Sequence, residues 1–185
     1  MSHFQTKSQL MSGSEVDRSL VRLAHEILEK TPAPEDVAII GIRRRGAVLA
    51  ERLAEKLEAL AGHPFPLGVL DISLYKDDLT TVAEHPVLNG TQIPFSLHDK
   101  AVILVDDVLY TGRTTLTALH ALFDVGNPAS VALCVLIDRG HRELPIEAAY
   151  VGRQVATADN EIIEVKVDPI DGEERVLLVE KVANE

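Results

Sequence analysis

Three short runs of consecutive apolar residues constrain the fold of this chain more than any other feature. The runs cover Val37–Ile42, residues 101–105 and residues 131–137. An uninterrupted apolar run of this length, bounded by polar residues, is typical of a strand that is buried on both faces. Apolar residues recur at helical spacing near residues 14–30, 47–61 and 114–124. Strands that alternate with helices predict the α/β class, with a mostly parallel central sheet flanked by helices.

The other segments complete one predicted domain that spans residues 1–185. Residues 1–13 are mostly polar, and we expect them to form a loose N-terminal leader. The first helix is expected to begin near Ser14, whose hydroxyl can cap free backbone amides. Residues 76–98 contain turn residues but no regular period, which is typical of either a disordered insertion or a functional lid. Further strands are expected at residues 67–75, 149–152, 162–167 and 175–182.

Charge and composition exclude several classes of protein. The chain has 18 Lys and Arg against 29 Asp and Glu, a net charge of −11, and a field of this sign disfavours indiscriminate binding to nucleic acid. Cys134 is the single cysteine, which excludes an intramolecular disulfide framework and predicts a small buried apolar side chain. The sequence shows neither a run long enough to cross a membrane nor a secretory signal. We therefore expect a cytoplasmic protein without a membrane partner.

Residues 102–114 carry the strongest chemical signal. Here a predicted buried strand delivers two carboxylates, Asp106 and Asp107, to a loop rich in Thr and Gly that opens a helix. Gly112 allows the backbone to approach a ligand closely, and the hydroxyls of Thr111 and Thr114 add to the free amides of the helix start, which favours phosphate. Paired carboxylates suit sugar hydroxyls or a hydrated Mg²⁺. The segment predicts a ribose 5-phosphate site, whereas an ordinary helix cap explains only part of it.

Two other predicted strand ends carry basic residues. Residues 43–46 read Arg-Arg-Arg-Gly, and residues 138–142 read Asp-Arg-Gly-His-Arg. Taken alone, three consecutive arginines are equally well explained as a solvated surface run. Ligands of an open parallel sheet bind beyond the carboxyl ends of its strands, so this position favours an anion site.

The order and spacing of these motifs resemble those of a known family. Residues 102–114 read Val-Ile-Leu-Val-Asp-Asp-Val-Leu-Tyr-Thr-Gly-Arg-Thr, which resembles the phosphoribosyl-pyrophosphate (PRPP) motif of type I phosphoribosyltransferases. Residues 135–146 read Val-Leu-Ile-Asp-Arg-Gly-His-Arg-Glu-Leu-Pro-Ile, which resembles the PyrR family of bifunctional pyrimidine operon regulators and uracil phosphoribosyltransferases. Supporting similarities lie at residues 22–26, 71–79 and 150–152. The resemblance covers roughly residues 14–168 and implies the type I phosphoribosyltransferase fold, with a flexible hood loop over PRPP.

The resemblance also implies an activity, the transfer of phosphoribose from PRPP to uracil to give UMP and pyrophosphate. It makes Asp106, Asp107 and Arg45 the catalytic residues, with Mg²⁺ held by the two aspartates directly or through water. Arg44 and Arg45 belong to a pyrophosphate loop that often contains a non-proline cis peptide, and Arg139 belongs to the base region. The implied PRPP and nucleotide contacts are Arg44, Arg45, Asp106, Asp107, Val108, Leu109, Tyr110, Thr111, Gly112, Arg113, Thr114, Arg139 and Ile163.

A second implied activity is control of pyrimidine operon transcription through binding of the leader mRNA attenuator, promoted by UMP or UTP. The residues that match the RNA surface of the family are Arg22, His25, Arg43, His141, Arg142 and Arg153. Val21 and Glu147 depart from the family pattern, and Glu147 places a negative charge where RNA phosphate approaches. The alternative is a phosphoribosyltransferase without RNA-binding activity, or one for another base. The family also implies a homodimer or a higher homo-oligomer.

Overall fold

The computed structural model describes residues 2–73 and 90–183 of the chain. The elements in these ranges are, in chain order, β1 (Ser2–Ser12), α1 (Gly13–Lys30), β2 (Val37–Ile42), α2 (Arg45–Ala61), β3 (Leu67–Leu70), β4 (Ala101–Leu109), α3 (Arg113–Val125), β5 (Ser130–Asp138), β6 (Tyr150–Gln154), β7 (Glu161–Lys166) and β8 (Arg175–Ala183). A short 3₁₀ helix, Pro34–Asp36, precedes β2. None of the described helices is both long enough and apolar enough to cross a membrane.

The centre of the molecule is a five-stranded parallel sheet in the order β3-β2-β4-β5-β6. Its three middle strands are the three apolar runs, so the predicted α/β class and the mostly parallel sheet are confirmed. Successive residues point to opposite faces: Ile39 packs in one core cluster with α1 and α2, and Ile40 packs in the other with α3. Burial on both faces explains why these runs are continuous rather than alternating.

The prediction of a loose leader at residues 1–13 is wrong. Residues 2–12 form β1, which pairs antiparallel with β8 in a second sheet of order β1-β8-β7. The apolar pattern does not reveal this strand because residues 4–9 are exposed, and among residues 4–12 only Met11 is buried. Backbone hydrogen bonds to β8 hold the strand, and the salt bridge from Lys7 to Glu161 of β7, 2.6 Å, adds to them. The small sheet shares one core cluster with α1 and α2.

The first helix begins one residue earlier than expected, and its cap is Ser12 rather than Ser14. The Ser12 hydroxyl accepts a hydrogen bond from the Glu15 amide, and the Glu15 carboxylate accepts one from the Ser12 amide at 2.7 Å. This reciprocal pair is a capping box. The Glu15 carboxylate accepts hydrogen bonds from the Ser12 amide and from the Ser12 hydroxyl, and these two bonds lower the pKa of Glu15.

Replacing Ser12 with alanine should therefore destabilise the protein by about 1 kcal/mol, because one helix amide loses its acceptor. Urea unfolding followed by circular dichroism measures this change. Ser14→Ala is the matched control, since the Ser14 hydroxyl is hydrogen-bonded to the Ser12 hydroxyl and, among the described residues, to no backbone amide. An equal or larger loss in Ser14→Ala would show that Ser14 is the cap.

Two further predictions concern the segment after β3. The strand expected at residues 67–75 is shorter in the structure and ends at Leu70. Most of the hood loop expected at residues 76–98 lies outside the described residues, which resume at residue 90. Residues 90–98 pack on the domain, because Gln92 pairs with Val69 through two backbone hydrogen bonds and Leu97 is only 3% exposed.

Candidate active site

A polar cavity of about 220 Å³ lies beyond the carboxyl end of β2 and beside the last residues of β4. Its lining residues are Ile42, Arg43, Arg44, Arg45, Asp106, Asp107, Val108 and Thr114. The structure therefore brings together the arginine segment and the Asp-Asp segment, which are separated by about 60 residues of chain. The topology explains this meeting, since β2 and β4 are parallel neighbours and their carboxyl ends lie at one edge of the sheet.

The arginine segment joins β2 to α2. The peptide bond between Arg43 and Arg44 is cis, as the resemblance predicts, and Arg44 is the N-terminal cap residue of α2. Gly46 lies directly against β4: a Cβ atom at this position would be 2.6 Å from the Val105 carbonyl oxygen. Only glycine allows so close an approach between the loop and the strand that carries the aspartates.

Two of the three arginines are held by carboxylates. Arg45 donates to Asp171 through Nε at 3.0 Å and through Nη2 at 2.7 Å. The Arg45 guanidinium is the main reason that the pKa of Asp171 falls to about 2. Arg43 lies 3.7 Å from the carboxylate of Asp71. Hydrogen bonds from Ser73, and then the charge of Arg43, lower the pKa of Asp71.

The Arg45–Asp171 pair should make the stability of the fold depend on pH in the acid range. The pKa of Asp171 lies below its ordinary value of 3.8, so the pair stabilises the fold above that value and loses its effect as pH falls towards 2. We expect the urea midpoint of the wild type to fall more steeply over this pH range than that of Asp171→Asn. Parallel slopes in the two proteins would contradict this expectation.

Asp106 and Asp107 lie inside β4 rather than after it, because the strand continues to Leu109. The Asp106 side chain accepts a hydrogen bond from the Asp107 amide at 2.9 Å, and the Asp107 side chain accepts one from the Val108 amide at 2.8 Å. These local bonds set the orientation of both carboxylates. Both residues line the cavity together with Arg43, Arg44 and Arg45.

The loop between β4 and α3 is fixed by the segment that follows β5. The amides of Glu143 and Leu144 donate to the Thr111 carbonyl at 3.0 and 3.2 Å. Gly112 caps α3 with a φ of 93°, a conformation that favours glycine. Thr114 follows in the first turn of α3 and lines the cavity. Arg113 instead points outward to Glu143, 2.6 Å away.

Arg139 is a buried arginine, only 6% exposed. It donates through Nε to the Thr157 hydroxyl at 3.1 Å and through Nη2 to the Glu161 carbonyl at 2.8 Å, and its guanidinium lies 4.0 Å from the centre of the Tyr110 ring. It also lines a cavity of about 570 Å³ formed by residues 138–142 and 154–157. Ile163, the last predicted nucleotide contact, lies in β7 with its side chain 7% exposed in the core.

Apart from His25, the residues that resemble an RNA surface line three different cavities. Arg22 and Arg153 line a cavity of about 350 Å³ between α1 and β6, His141 and Arg142 line the cavity beside Arg139, and Arg43 lines the cavity with the aspartates. Arg18 completes the first group, although no motif pointed to it. Arg18 lies four residues before Arg22 on α1, and this spacing in the sequence indicates that both side chains lie on one helix face.

Several of these arginines also hold the fold together. Arg22 donates to the carbonyls of Val151 and Gly152, and Arg153 donates to that of Leu10. Arg142 donates to the Ile146 carbonyl at 2.9 Å, to the Tyr110 carbonyl at 2.7 Å and to the Asp138 carboxylate at 2.6 Å. His25 is exposed on α1.

Comparisons with known proteins agree with this site. The family model described as the phosphoribosyl transferase domain matches residues 8–170. A hypoxanthine-guanine phosphoribosyltransferase structure from Bacillus anthracis superposes with a TM-score of 0.70 at 22% identity, covering 96% of this chain and 99% of that one. Fold and site together define a type I phosphoribosyltransferase, as predicted.

Sequence relatives narrow the class further. The chain is 52% identical to the bifunctional protein PyrR of Pelotomaculum thermopropionicum over 94% of this chain and 96% of that protein. It is 54% identical to the bifunctional protein PyrR of Deinococcus radiodurans over 93% of this chain and 94% of that protein. The chain belongs to the PyrR family, which confirms the resemblance found in its motifs.

Proposed function

We propose that this chain is a uracil phosphoribosyltransferase that also regulates transcription of the pyrimidine biosynthesis operon. The observation that carries the enzymatic part is the cavity where Asp106, Asp107 and Thr114 face the arginines of residues 43–45. Thr114 belongs to the predicted phosphate site, Asp106 and Asp107 to the site for ribose hydroxyls, and residues 43–45 to the pyrophosphate site. PRPP contains all three of these groups. The relatives named bifunctional protein PyrR support the second activity.

In this proposal each group of residues acts on one part of PRPP. The amides and hydroxyls of residues 111–114 bind the 5-phosphate at the start of α3, and Asp106 and Asp107 bind the ribose hydroxyls. Positive charge builds on the ribose ring as pyrophosphate leaves, and the two carboxylates stabilise it. The arginines of residues 43–45 bind the departing pyrophosphate. Arg139 positions the base from its buried place beside Tyr110.

The donor set of the cavity also fits Mg²⁺. Magnesium is usually held by one or two carboxylates and completes its coordination with water and substrate phosphates. Asp106 and Asp107 provide such a pair, while the described residues contain no cluster of three or more His, Cys, Asp and Glu that would bind a metal alone. When bound with PRPP, the ion would neutralise charge on the leaving pyrophosphate.

Product analysis with a panel of free bases tests the enzymatic proposal. The protein is incubated with PRPP, Mg²⁺ and uracil, hypoxanthine, guanine or orotate, and nucleotides are separated by chromatography. We expect UMP as the main product. Formation of a purine nucleotide or of orotidylate at the higher rate would favour the alternative, a phosphoribosyltransferase for another base. No product from any of the bases would contradict the activity.

The proposed RNA surface is centred on α1, where Arg18 and Arg22 lie in one cavity with Arg153. Arginine clusters bind phosphate backbones, and the net charge of −11 confines such binding to a local basic face. Glu147 is exposed, so the unfavourable charge noted in the sequence remains at the surface. A phosphoribosyltransferase without RNA-binding activity is the alternative.

Filter binding of the operon leader RNA, with and without UMP, distinguishes these alternatives. We expect UMP to tighten binding, and His25→Ala to weaken it at least tenfold, the effect of losing one good contact. His120→Ala is the control, because His120 is likewise exposed but lies on α3. Binding that neither UMP nor His25→Ala changes would contradict the proposal. The cytoplasmic location and the oligomeric state stay predictions.

A further inference from the structure

Helix α2 carries two arginines that hold the turn between β7 and β8. Arg45 and Arg52 are seven residues apart, about two helical turns, so they lie on the same face of the helix. Arg45 binds the carboxylate of Asp171, whereas Arg52 binds that of Glu174 and donates to the Asp168 carbonyl at 2.8 Å. The turn of the small sheet is thereby attached to the helix that begins at the arginine segment.

The Asp171 carboxylate is oriented by its own turn as well as by Arg45. Its Oδ2 atom accepts a hydrogen bond from the Val167 amide at 2.9 Å, and the Asp171 amide donates to the Val167 carbonyl at 2.9 Å. The side chain is only 10% exposed. A buried carboxylate with a fixed backbone donor meets a guanidinium in one geometry rather than in several.

This geometry determines which N–H groups of the Arg45 guanidinium can still donate to a ligand. The two Asp171 oxygens accept from Nε and Nη2, the edge of the planar guanidinium that suits a bidentate carboxylate. Within residues 2–73 and 90–183 no acceptor takes the Nη1 hydrogens, and Arg45 lines the cavity that contains Asp106 and Asp107. A flexible arginine side chain loses rotamer freedom when it binds an anion, whereas Arg45 is already ordered.

We propose that Asp171 is a positioning residue for the leaving pyrophosphate, which acts by holding the Arg45 guanidinium at the edge of the cavity. This inference rests on the proposed function, in which the arginine segment binds the pyrophosphate. Asp171 itself is not among the residues that line the cavity, so it acts through Arg45. By fixing the Arg45 side chain, Asp171 links the turn of the small sheet to the cavity.

The test compares Asp171→Asn with Glu174→Gln. Both variants weaken a contact between the turn and α2, but only the first releases Arg45. We expect Asp171→Asn to raise the KM for PRPP and the Kd for pyrophosphate about tenfold, the size of one charge-assisted hydrogen bond. The KM for uracil and the 5-phosphate contacts should stay unchanged. Glu174→Gln should leave all three constants near the wild-type values, and Asp171→Glu should recover part of the loss.

The outcomes separate this inference from the proposed function. A wild-type protein that binds neither PRPP nor pyrophosphate would overturn the proposed function. A wild type that binds both, with Asp171→Asn binding pyrophosphate equally well, would overturn only the positioning role. Equal losses in Asp171→Asn and Glu174→Gln would also overturn it, because they would show that the turn matters only for general stability, which thermal unfolding of each variant measures.

Discussion

A variant with asparagine at both Asp106 and Asp107 should lose about a thousandfold of the uracil phosphoribosyltransferase activity, the scale on which removal of preorganised charge reduces catalysis. Asparagine keeps the shape of each side chain and one oxygen acceptor, so the bonds from the Asp107 and Val108 amides can persist. What disappears is the negative charge beside the ribose ring, where positive charge develops. Initial rates at saturating PRPP and uracil measure the loss in kcat.

A control for this variant is Asp99→Asn. Asp99 is exposed, and its φ of 59° is one that asparagine also adopts readily. We expect Asp99→Asn to keep the wild-type rate. If the double variant unfolds at the wild-type temperature and retains more than about a tenth of the activity, the two carboxylates do not have the role given to them here.

Gly46→Ala should abolish tight PRPP binding through the backbone rather than through a lost side chain. The new Cβ atom would meet the Val105 carbonyl oxygen at 2.6 Å and the Asp106 Cα atom at 3.1 Å, so the arginine segment or β4 must move. Overpacking of this kind costs about 1–3 kcal/mol. The displacement separates the arginines from the aspartates, and the KM for PRPP should rise by about a hundredfold or more.

Gly62→Ala, at the other end of the same helix, is a control that tests whether a loss of stability alone changes the KM for PRPP. Nothing lies within 4 Å of a Cβ atom there, but the φ of 77° is unfavourable for alanine, which costs about 1 kcal/mol. We therefore expect a comparable fall in the urea midpoint with an unchanged KM for PRPP. A raised KM in both variants would show that loss of stability alone disturbs the site.

The central sheet is predictable from the sequence because strands buried on both faces leave an unmistakable pattern. Val37–Ile42 is buried at every position, and the sequence shows this as an unbroken apolar run. The small sheet is not predictable in the same way. β1 is held by backbone hydrogen bonds, which carry no side-chain signature, and most of its side chains face solvent.

The site is predictable to the extent that its residues belong to local motifs. Asp106, Asp107 and Thr114 lie within one segment, and the rule for parallel strands places them next to the arginines. Asp171 was missed because its partner Arg45 is 126 residues away, and neither turn nor helix carries a pattern that links them. The resemblance predicts Arg43 as an RNA contact, and this stays a prediction; the structure adds that Arg43 lines the cavity with the aspartates.

The position of β8 has a consequence for the order in which the protein becomes active during synthesis. β8 is the middle strand of its sheet and the last described element of the chain. β1 therefore leaves the ribosome early but cannot pair until β8 has been synthesised. Contacts between such distant segments form late in folding. The turn with Asp171 lies between β7 and β8, so it is synthesised after all five strands of the central sheet. A ribosome-bound chain can thus complete its central sheet while Arg45 is still unrestrained.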